Sequence, residues 1–445
     1  MKYHATTQAP SAGAADVDDD ADAATDGLHD DGSTRVVLYQ KPAATKAVKW
    51  PTAGAAALAR IRRAGLTPSR QAWDLLNIAL TVMISDAHHR RSASPDGWTR
   101  EFDLTIPVTE PDLWTSQADT LASALSFLTT DRWQLTFEAG PTVYTPPAAK
   151  KGSVLDADCV ALLSGGLDSL IGAIDLVEDD RRPLFVSQAV PGDGQKQRDF
   201  ATAIRSASPT LVLNHNVNTH GLPKEPSQRG RSLIFIAYGV LAATTVQAHR
   251  DGGTVPLYLN ENGYIAINPP LTPMRLGSLS TRTAHPRYLG EIQAVLDAVG
   301  LRVKLDNPYR FKTKGEMMAE CASQNLLAKY AADSTSCGRF RRYKYEHCGR
   351  CLPCQVRRAA FTRWGKPDGT SYKFSDLGRD DEAHAGFDDV RAVAVAVATA
   401  NARGFDRWLG AGLSGVPAAD RAKMRDMLER GLAELAALHA GPTAL

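Results

Sequence analysis

Ala161-Leu162-Leu163-Ser164-Gly165-Gly166-Leu167-Asp168-Ser169-Leu170 decides the fold. Cys159 to Leu163 is a short, continuously apolar run, the pattern of a buried parallel strand, and Leu170, Ile171, Ala173, Ile174 and Val177 recur at helical spacing after it. Ser164 to Ser169 is therefore a strand-to-helix turn. Gly165 and Gly166 admit positive φ and close backbone approach, and the first amides of the helix offer unpaired donors with a partial positive charge. Such a nest suits pyrophosphate. Leu163, Ser164, Gly165, Gly166, Leu167, Asp168 and Ser169 are the expected nucleotide-binding residues. Ser164 and Ser169 supply hydroxyls, and Asp168, facing phosphate, needs a divalent cation between them, which assigns it to Mg2+. The expectation is an enzyme that splits ATP between its α and β phosphates. The plain alternative is a glycine turn in which Ser169 or Asp168 caps the helix. Six defined positions in a strand–turn–helix context favour the nucleotide site.

Outward from the loop the pattern alternates. Strands are expected at 159–163, 184–190, 210–216 and 255–260, and helices at 169–177, 197–206 and 231–248, which predicts a doubly wound parallel sheet in an α/β fold. Ligands in that architecture collect at the carboxyl ends of the strands, where the loop lies. Before it, residues 34–150 predict an N-terminal α+β module, with helices near 72–87 and 118–128 and strands near 99–107 and 133–138. Residues 1–33 hold eight Asp and one Lys, net −7, which leaves +9 on the rest of a chain whose total is +2. With almost nothing to bury, that segment reads as a disordered acidic tail.

The mildly basic body suits ATP or an acidic partner, and nucleic acid is not evident, because no aromatic-basic stripe stands out. Residues 376–445 read as a C-terminal helical region, with an amphipathic stretch from Ala418 to His439 that suits packing or a partner. At 445 residues the chain has room for two to three domains of ~100–200 residues. No apolar stretch approaches the ~18 residues of a membrane span, and the N-terminus lacks a basic-then-apolar signal pattern, so the expected location is cytoplasmic. Gly410-Ala411-Gly412-Leu413-Ser414-Gly415 fits Gly-x-Gly-x-x-Gly, yet helix precedes it and Pro417 follows, so it reads as a loop between helices. His88 and His89 read as the end of a helix, where imidazolium suits the dipole.

Four of the six cysteines form Cys337-x10-Cys348-x2-Cys351-x2-Cys354. Clustering this tight suits a tetrahedral thiolate zinc site, and disulfides are the weaker explanation in a cytosolic chain. An iron–sulfur cluster is the competitor. With four ligands the ion has no open position, so the site is structural, stapling a loop of Arg and Lys over the nucleotide cleft. His347 is then a neighbour, and Cys159 and Cys321 are core thiols.

The loop, Gly230-Arg231-Ser232-Leu233-Ile234-Phe235, Thr313-Lys314-Gly315-Glu316-Met317, Thr335-Ser336-Cys337 and Cys348-Gly349-Arg350-Cys351-Leu352-Pro353-Cys354 together resemble the 7-cyano-7-deazaguanine synthase (QueC) family in order and approximate spacing. The resemblance covers roughly residues 155–365. It implies a PP-loop, adenine nucleotide alpha hydrolase-like domain over residues 151–375 with a zinc-binding insertion. The added N-terminal module and helical tail are more similar to QatC, the QueC-like component of the Qat antiphage system.

Chemistry on 7-carboxy-7-deazaguanine follows from the resemblance. ATP activates that carboxylate as an acyl-adenylate, releasing pyrophosphate; ammonia then gives an amide, and a second activation dehydrates it to a nitrile. Asp168 and Ser169 would act on the pyrophosphate and its metal ion, with Arg231 and Lys314 as further phosphate contacts. Arg231 as an exposed helix start and Lys314 as an ordinary first-turn residue are the plain alternatives. The family's usual Asn after the helix-starting Arg is Ser232 here, and Asn262–Pro286 departs from the pattern. A defence-associated relative would add protein partners, with transfer of the deazaguanine to a partner amine. The alternatives are an inactive scaffold of a defence complex or a tRNA-modifying PP-loop enzyme.

Overall fold

The computed structural model describes residues 1–7, 32–40, 50–143, 156–189, 194–205, 208–219, 224–226, 228–272, 282–377 and 388–440. Its described residues build two five-stranded parallel sheets, with helices between successive strands from Thr52–Ala53 to Arg132–Ala139 and from Cys159–Leu162 to Val303–Asp306. Two compact units share the chain, and they interleave instead of following one another. One holds Met1–Val160, Leu211–Leu257 and Gly290–Lys304; the other holds Ala161–Thr210, Tyr258–Leu289 and Leu305–Leu445.

The first sheet contains β1 (Lys2–Thr6), β2 (Thr34–Leu38), β3 (Thr52–Ala53), β4 (Glu101–Val108) and β5 (Arg132–Ala139), in the order β3-β2-β1-β4-β5. Every pair with a defined register is parallel. The expected α+β module is thus an α/β sheet, and part of the expected acidic tail, Lys2–Thr6, is its central strand. Only Tyr3 and Ala5 of that strand are buried apolar residues, too few to show in an Asp-rich segment. Residues 8–31, where the rest of the tail reading falls, lie outside the described residues.

Helix Arg70–His88 is buried along most of its length, with Trp73, Leu76, Leu80 and Met83 at most 1 % exposed. Several of its buried polar residues are answered within the unit. Asp74 accepts from Thr109 N (3.0 Å), Thr109 Oγ1 (2.6 Å) and Trp114 Nε1 (3.1 Å), and Asn77 donates to Pro107 O (2.9 Å). At its end, burial holds His88 and His89 below the usual imidazole pKa, with His89 adding repulsion at His88, and His88 Nδ1 shares a hydrogen bond with Tyr3 Oη at 3.0 Å. The imidazolium reading of this pair is overturned: desolvation outweighs the helix dipole.

The second sheet contains β6 (Cys159–Leu162), β7 (Pro183–Gln188), β8 (Thr210–Leu213), β9 (Val255–Tyr258) and β10 (Val303–Asp306), in the order β10-β9-β6-β7-β8. From β6 the chain winds outward through β7 and β8, then returns to place β9 and β10 on the other side of β6. The strand order therefore reverses between β6 and β9, which in an open parallel sheet opens a crevice at the carboxyl ends. Residues after 380 are helical where described, as Asp388–Arg403, Phe405–Leu409 and Arg421–Ala440. The Gly410–Leu413 stretch is a single 3-10 turn between helices. Among the described residues, no helix is long and apolar enough to cross a membrane.

Candidate functional site

Leu163 to Ser169 forms the turn from β6 into helix Leu167–Glu178. Leu163 N donates to Val186 O (2.8 Å) on β7, and Ser187 Oγ donates to Leu163 O (2.7 Å), so the turn begins from a fixed strand end. Gly165 has φ +85°, a left-handed conformation that a side chain resists. A Cβ at Gly166 would come within 3.2 Å of both Ser164 Oγ and Thr335 O. Ser169 ties the turn together: its hydroxyl donates to Gly166 O (2.9 Å), accepts from Ser164 N (3.2 Å) and lies 3.1 Å from Ser164 Oγ. The helix's first-turn amides have no acceptor within the helix and face the turn with the positive end of the dipole.

Asp168 turns away from the mouth of this nest. It is buried, and Lys314 Nζ donates to its Oδ1, while its Oδ2 accepts from Asn262 N (3.1 Å) and Asn262 Nδ2 (2.7 Å). Burial opposes its charge, yet the Lys314 ammonium, with hydrogen bonds from Glu261, Lys314 and Asn262, holds the carboxyl below its usual range. Glu261 moves the opposite way: burial, then the neighbouring Asp168 charge and their shared hydrogen bond, push it well above the usual range. Asp168 is thus held toward its charged form and Glu261 toward its neutral form, both beside the Lys314 ammonium.

Each member follows a strand end. Glu261 and Asn262 come just after β9, and Asn262 caps helix Gly263–Ile267 through Ile265 N (3.0 Å). Lys314 opens helix Lys314–Glu320 behind a capping box, in which Thr313 Oγ1 accepts from Glu316 N and Glu316 Oε2 from Thr313 N.

Asp168 and Lys314 are brought together, with Ser169 next to Asp168 in the chain, and Lys314 meets the Asp168 carboxylate. The magnesium assignment does not find a ready site, because both oxygens of Asp168 are engaged by protein donors. Arg231 begins helix Arg231–Ala243 in the other compact unit, with an exposed side chain. Glu261 was missed from sequence. Its signal was Asn260-Glu261-Asn262, a polar run directly after an apolar strand and therefore at a carboxyl end.

The cysteines form the second cluster. Their four Sγ atoms lie within 4.8 Å of one another, all are buried, and none is in a disulfide. Cys337–Cys351 and Cys348–Cys354 are 3.8 and 3.9 Å apart, and a tetrahedron of ~2.3 Å metal–sulfur bonds has edges of about 3.8 Å. Backbone amides also point at the sulfurs: Arg339 N and Cys348 N donate to Cys337 Sγ (both 3.3 Å), and Cys351 N to Cys348 Sγ (3.2 Å). Cys351 caps helix Leu352–Trp364 and Cys354 sits in its first turn, where the dipole favours thiolate. The four can hold a metal ion such as zinc.

Gly349, at φ +83°, could not carry a Cβ, which would fall 2.3 Å from Phe374 O. His347 Nε2 accepts from Ser336 N (3.1 Å), and burial, with Arg357 and Lys196 nearby, lowers its pKa to about 3, as befits a neutral neighbour of the cluster. The knuckle meets the turn at Thr335, whose N donates to Gly165 O (2.9 Å) while Lys196 Nζ donates to its Oγ1 (3.1 Å).

Comparison of the chain with protein-family models, curated proteins and solved structures finds no match.

Proposed function

We propose that the chain is a QueC-like, ATP-dependent carbon–nitrogen ligase of the PP-loop type. A substrate carboxylate oxygen attacks the α-phosphorus of ATP, the α–β bond breaks, and pyrophosphate leaves. An amine nitrogen then attacks the acyl carbon, AMP leaves, and the nitrogen loses a proton to give an amide. The carrying observation is the Ser164–Ser169 turn at the carboxyl end of β6, where the strand order reverses, next to Asp168, Glu261 and Lys314.

The turn's backbone would receive the β and γ phosphates, and Lys314 would swing from Asp168 to the developing charge at the scissile bond. A magnesium ion arriving with the nucleotide would reach Asp168 only by displacing Lys314. The resemblance supplies the substrate class, a 7-carboxy-7-deazaguanine-type acid. The additional sheet and C-terminal helices, larger than a small-molecule synthase needs, support a role in antiphage defence with an amine on a partner protein as acceptor. Sulfur spacings fitted to one ion favour zinc over an iron–sulfur cluster.

With α-labelled ATP, 7-carboxy-7-deazaguanine and ammonium, the protein should give AMP and pyrophosphate only when the carboxylate is present. Asp168→Ala should lower the rate about 100-fold or more. ADP as product, or turnover indifferent to the carboxylate, overturns the proposal. Adding candidate partner proteins should place a base-sized mass on one of them. Elemental analysis should find one zinc per chain, lost in Cys351→Ser. One observation favours a second reading as a non-catalytic subunit, namely that Asp168 and Lys314 already neutralise each other. Such a subunit would release no pyrophosphate with any carboxylate.

A further inference from the structure

Helix Arg421–Ala440 lies outside the region of resemblance, and its apolar face packs on its own unit through Met424, Met427, Leu428, Leu432 and Leu435. Its contacts reach both segments that engage Asp168. On the Asn262 side, Gly431 leaves no room for a Cβ, which would stand 2.3 Å from Tyr264 Cδ2, and a Cβ on Gly263 would meet Met427 Cε at 2.7 Å. On the Lys314 side, Glu434 Oε1 accepts from Thr313 Oγ1 (2.5 Å) and the carboxyl also accepts from the Gly315 amide. A Cβ at Gly315 would lie 2.7 Å from that same Oε1. Arg430 Nε donates to Glu316 Oε1 (2.5 Å), and Arg430 Nη2 donates to Phe311 O (3.0 Å). Between the two contacts lies a small pocket lined by Tyr264, Thr313, Lys314 and Glu434, with the Tyr264 hydroxyl buried and unpartnered among the described residues.

We propose that this helix is a working part of the Asp168 site and that Glu434 is the positioning residue for Lys314, holding the first turn that carries it through Thr313 and Gly315. The inference rests on the pyrophosphate-loop reading and deepens it.

A packing helix needs only apolar contacts. Here a carboxyl is brought into a largely closed space to grip a helix start already closed by its own capping box, and Gly315 is kept bare so that it fits. Glu316, Arg363, Lys314 and Arg430 are the charged groups that face Glu434. Burial, reinforced by Glu316 against the opposing hydrogen bonds and Arg363, raises its pKa to about 7. Ionised, it accepts more strongly from both donors, so the grip on Lys314 tightens as pH rises through 7. Stability moves the opposite way. A carboxyl with a raised folded pKa contributes stability below its unfolded value of 4.5, and that contribution is lost as pH rises through about 7.

Glu434→Gln, which keeps shape and removes ionisation, separates these effects, with Glu429→Gln on the same helix as control and Glu434→Ala as the stronger break. Pyrophosphate release by the wild type should climb through pH 7, and Glu434→Gln should be flat there with kcat about tenfold lower at pH 8 and the carboxylate KM within twofold. Labelling of Lys314 by an amine-reactive reagent, read by mass spectrometry at pH 8, should rise about tenfold in Glu434→Ala relative to the other lysines. The Tm of Glu434→Gln should overtake that of the wild type between pH 5 and 8. A wild-type pH profile and kcat in Glu434→Gln, or unchanged Lys314 labelling in Glu434→Ala, overturns the proposal. Should the wild type release no pyrophosphate, the loop reading falls, and Lys314 labelling and the Tm crossover still decide whether Glu434 positions it.

Discussion

Each sheet buries a cluster of acids and bases, and the two clusters are built differently. In the first unit Arg91 and Arg100 face Asp86 and Asp131. Arg91 forks onto Asp131 (2.8 and 2.9 Å), and Arg100 Nη2 reaches Asp86 Oδ1 (2.5 Å) and Asp131 Oδ2 (2.7 Å). Two acids meet two bases, Arg91 Nη2 and Arg100 Nη1 also reach backbone carbonyls, and Asp86 Oδ2 accepts from Gly230 N (2.8 Å). In the second unit two acids, Asp168 and Glu261, meet one base, Lys314, and burial together with the Asp168 charge favours the protonated form of Glu261. Guanidinium keeps its planar fork, which suits a permanent staple; ammonium is a compact charge on a flexible stem, which suits the proposed polyphosphate site. The balanced cluster reads as architecture. The unbalanced one, at the sheet's switch point, reads as chemistry.

The comparison breaks first at Asp131. Replacing it with Ala strands the buried Arg91 guanidinium and leaves Arg100 with Asp86 alone, and urea denaturation should show a loss of about 3–5 kcal/mol or an unfolded protein. Asp168→Ala leaves Lys314 beside Glu261, a carboxyl that can ionise to pair with it, and the loss should stay at about 1–3 kcal/mol while pyrophosphate release collapses. Equal stability losses in the two variants would erase the distinction.

The difference also governs what could be read from the chain. The turn at 161–170 was legible because an apolar run, two glycines and a helical repeat coincide, and the later alternation of strands and helices placed β6 to β9 to within a few residues. The cysteine spacing was legible because metal ligands must be close in sequence to wrap one ion. β1 was hidden, since Lys2–Thr6 offers only Tyr3 and Ala5 to the core and leads into an acidic stretch. β5 was found as a strand, but its strict alternation of exposed and buried residues is the mark of a half-solvated antiparallel strand, while it pairs in parallel with β4 from Glu101↔Arg132 to Val108↔Ala139. Asp168, Glu261 and Lys314 are 53 or more positions apart in the chain, and only the fold brings them together.

Glu261 sharpens the comparison most finely and with the smallest effect. Its raised folded pKa means that its contribution to stability is present below the unfolded value of 4.5 and fades as pH rises through the folded one. Asp168, held low, contributes stability above its unfolded value of 3.8, lost only as pH falls through its folded pKa. Glu261→Gln keeps a donor toward Asp168 and removes the titration. Near pH 5 the variant should match the wild type to within about 0.5 kcal/mol in urea denaturation, and its advantage should grow as the solution is made alkaline. If instead the variant is less stable throughout the neutral range, Glu261 is ionised there, and the second cluster carries a net negative charge that Lys314 alone does not offset.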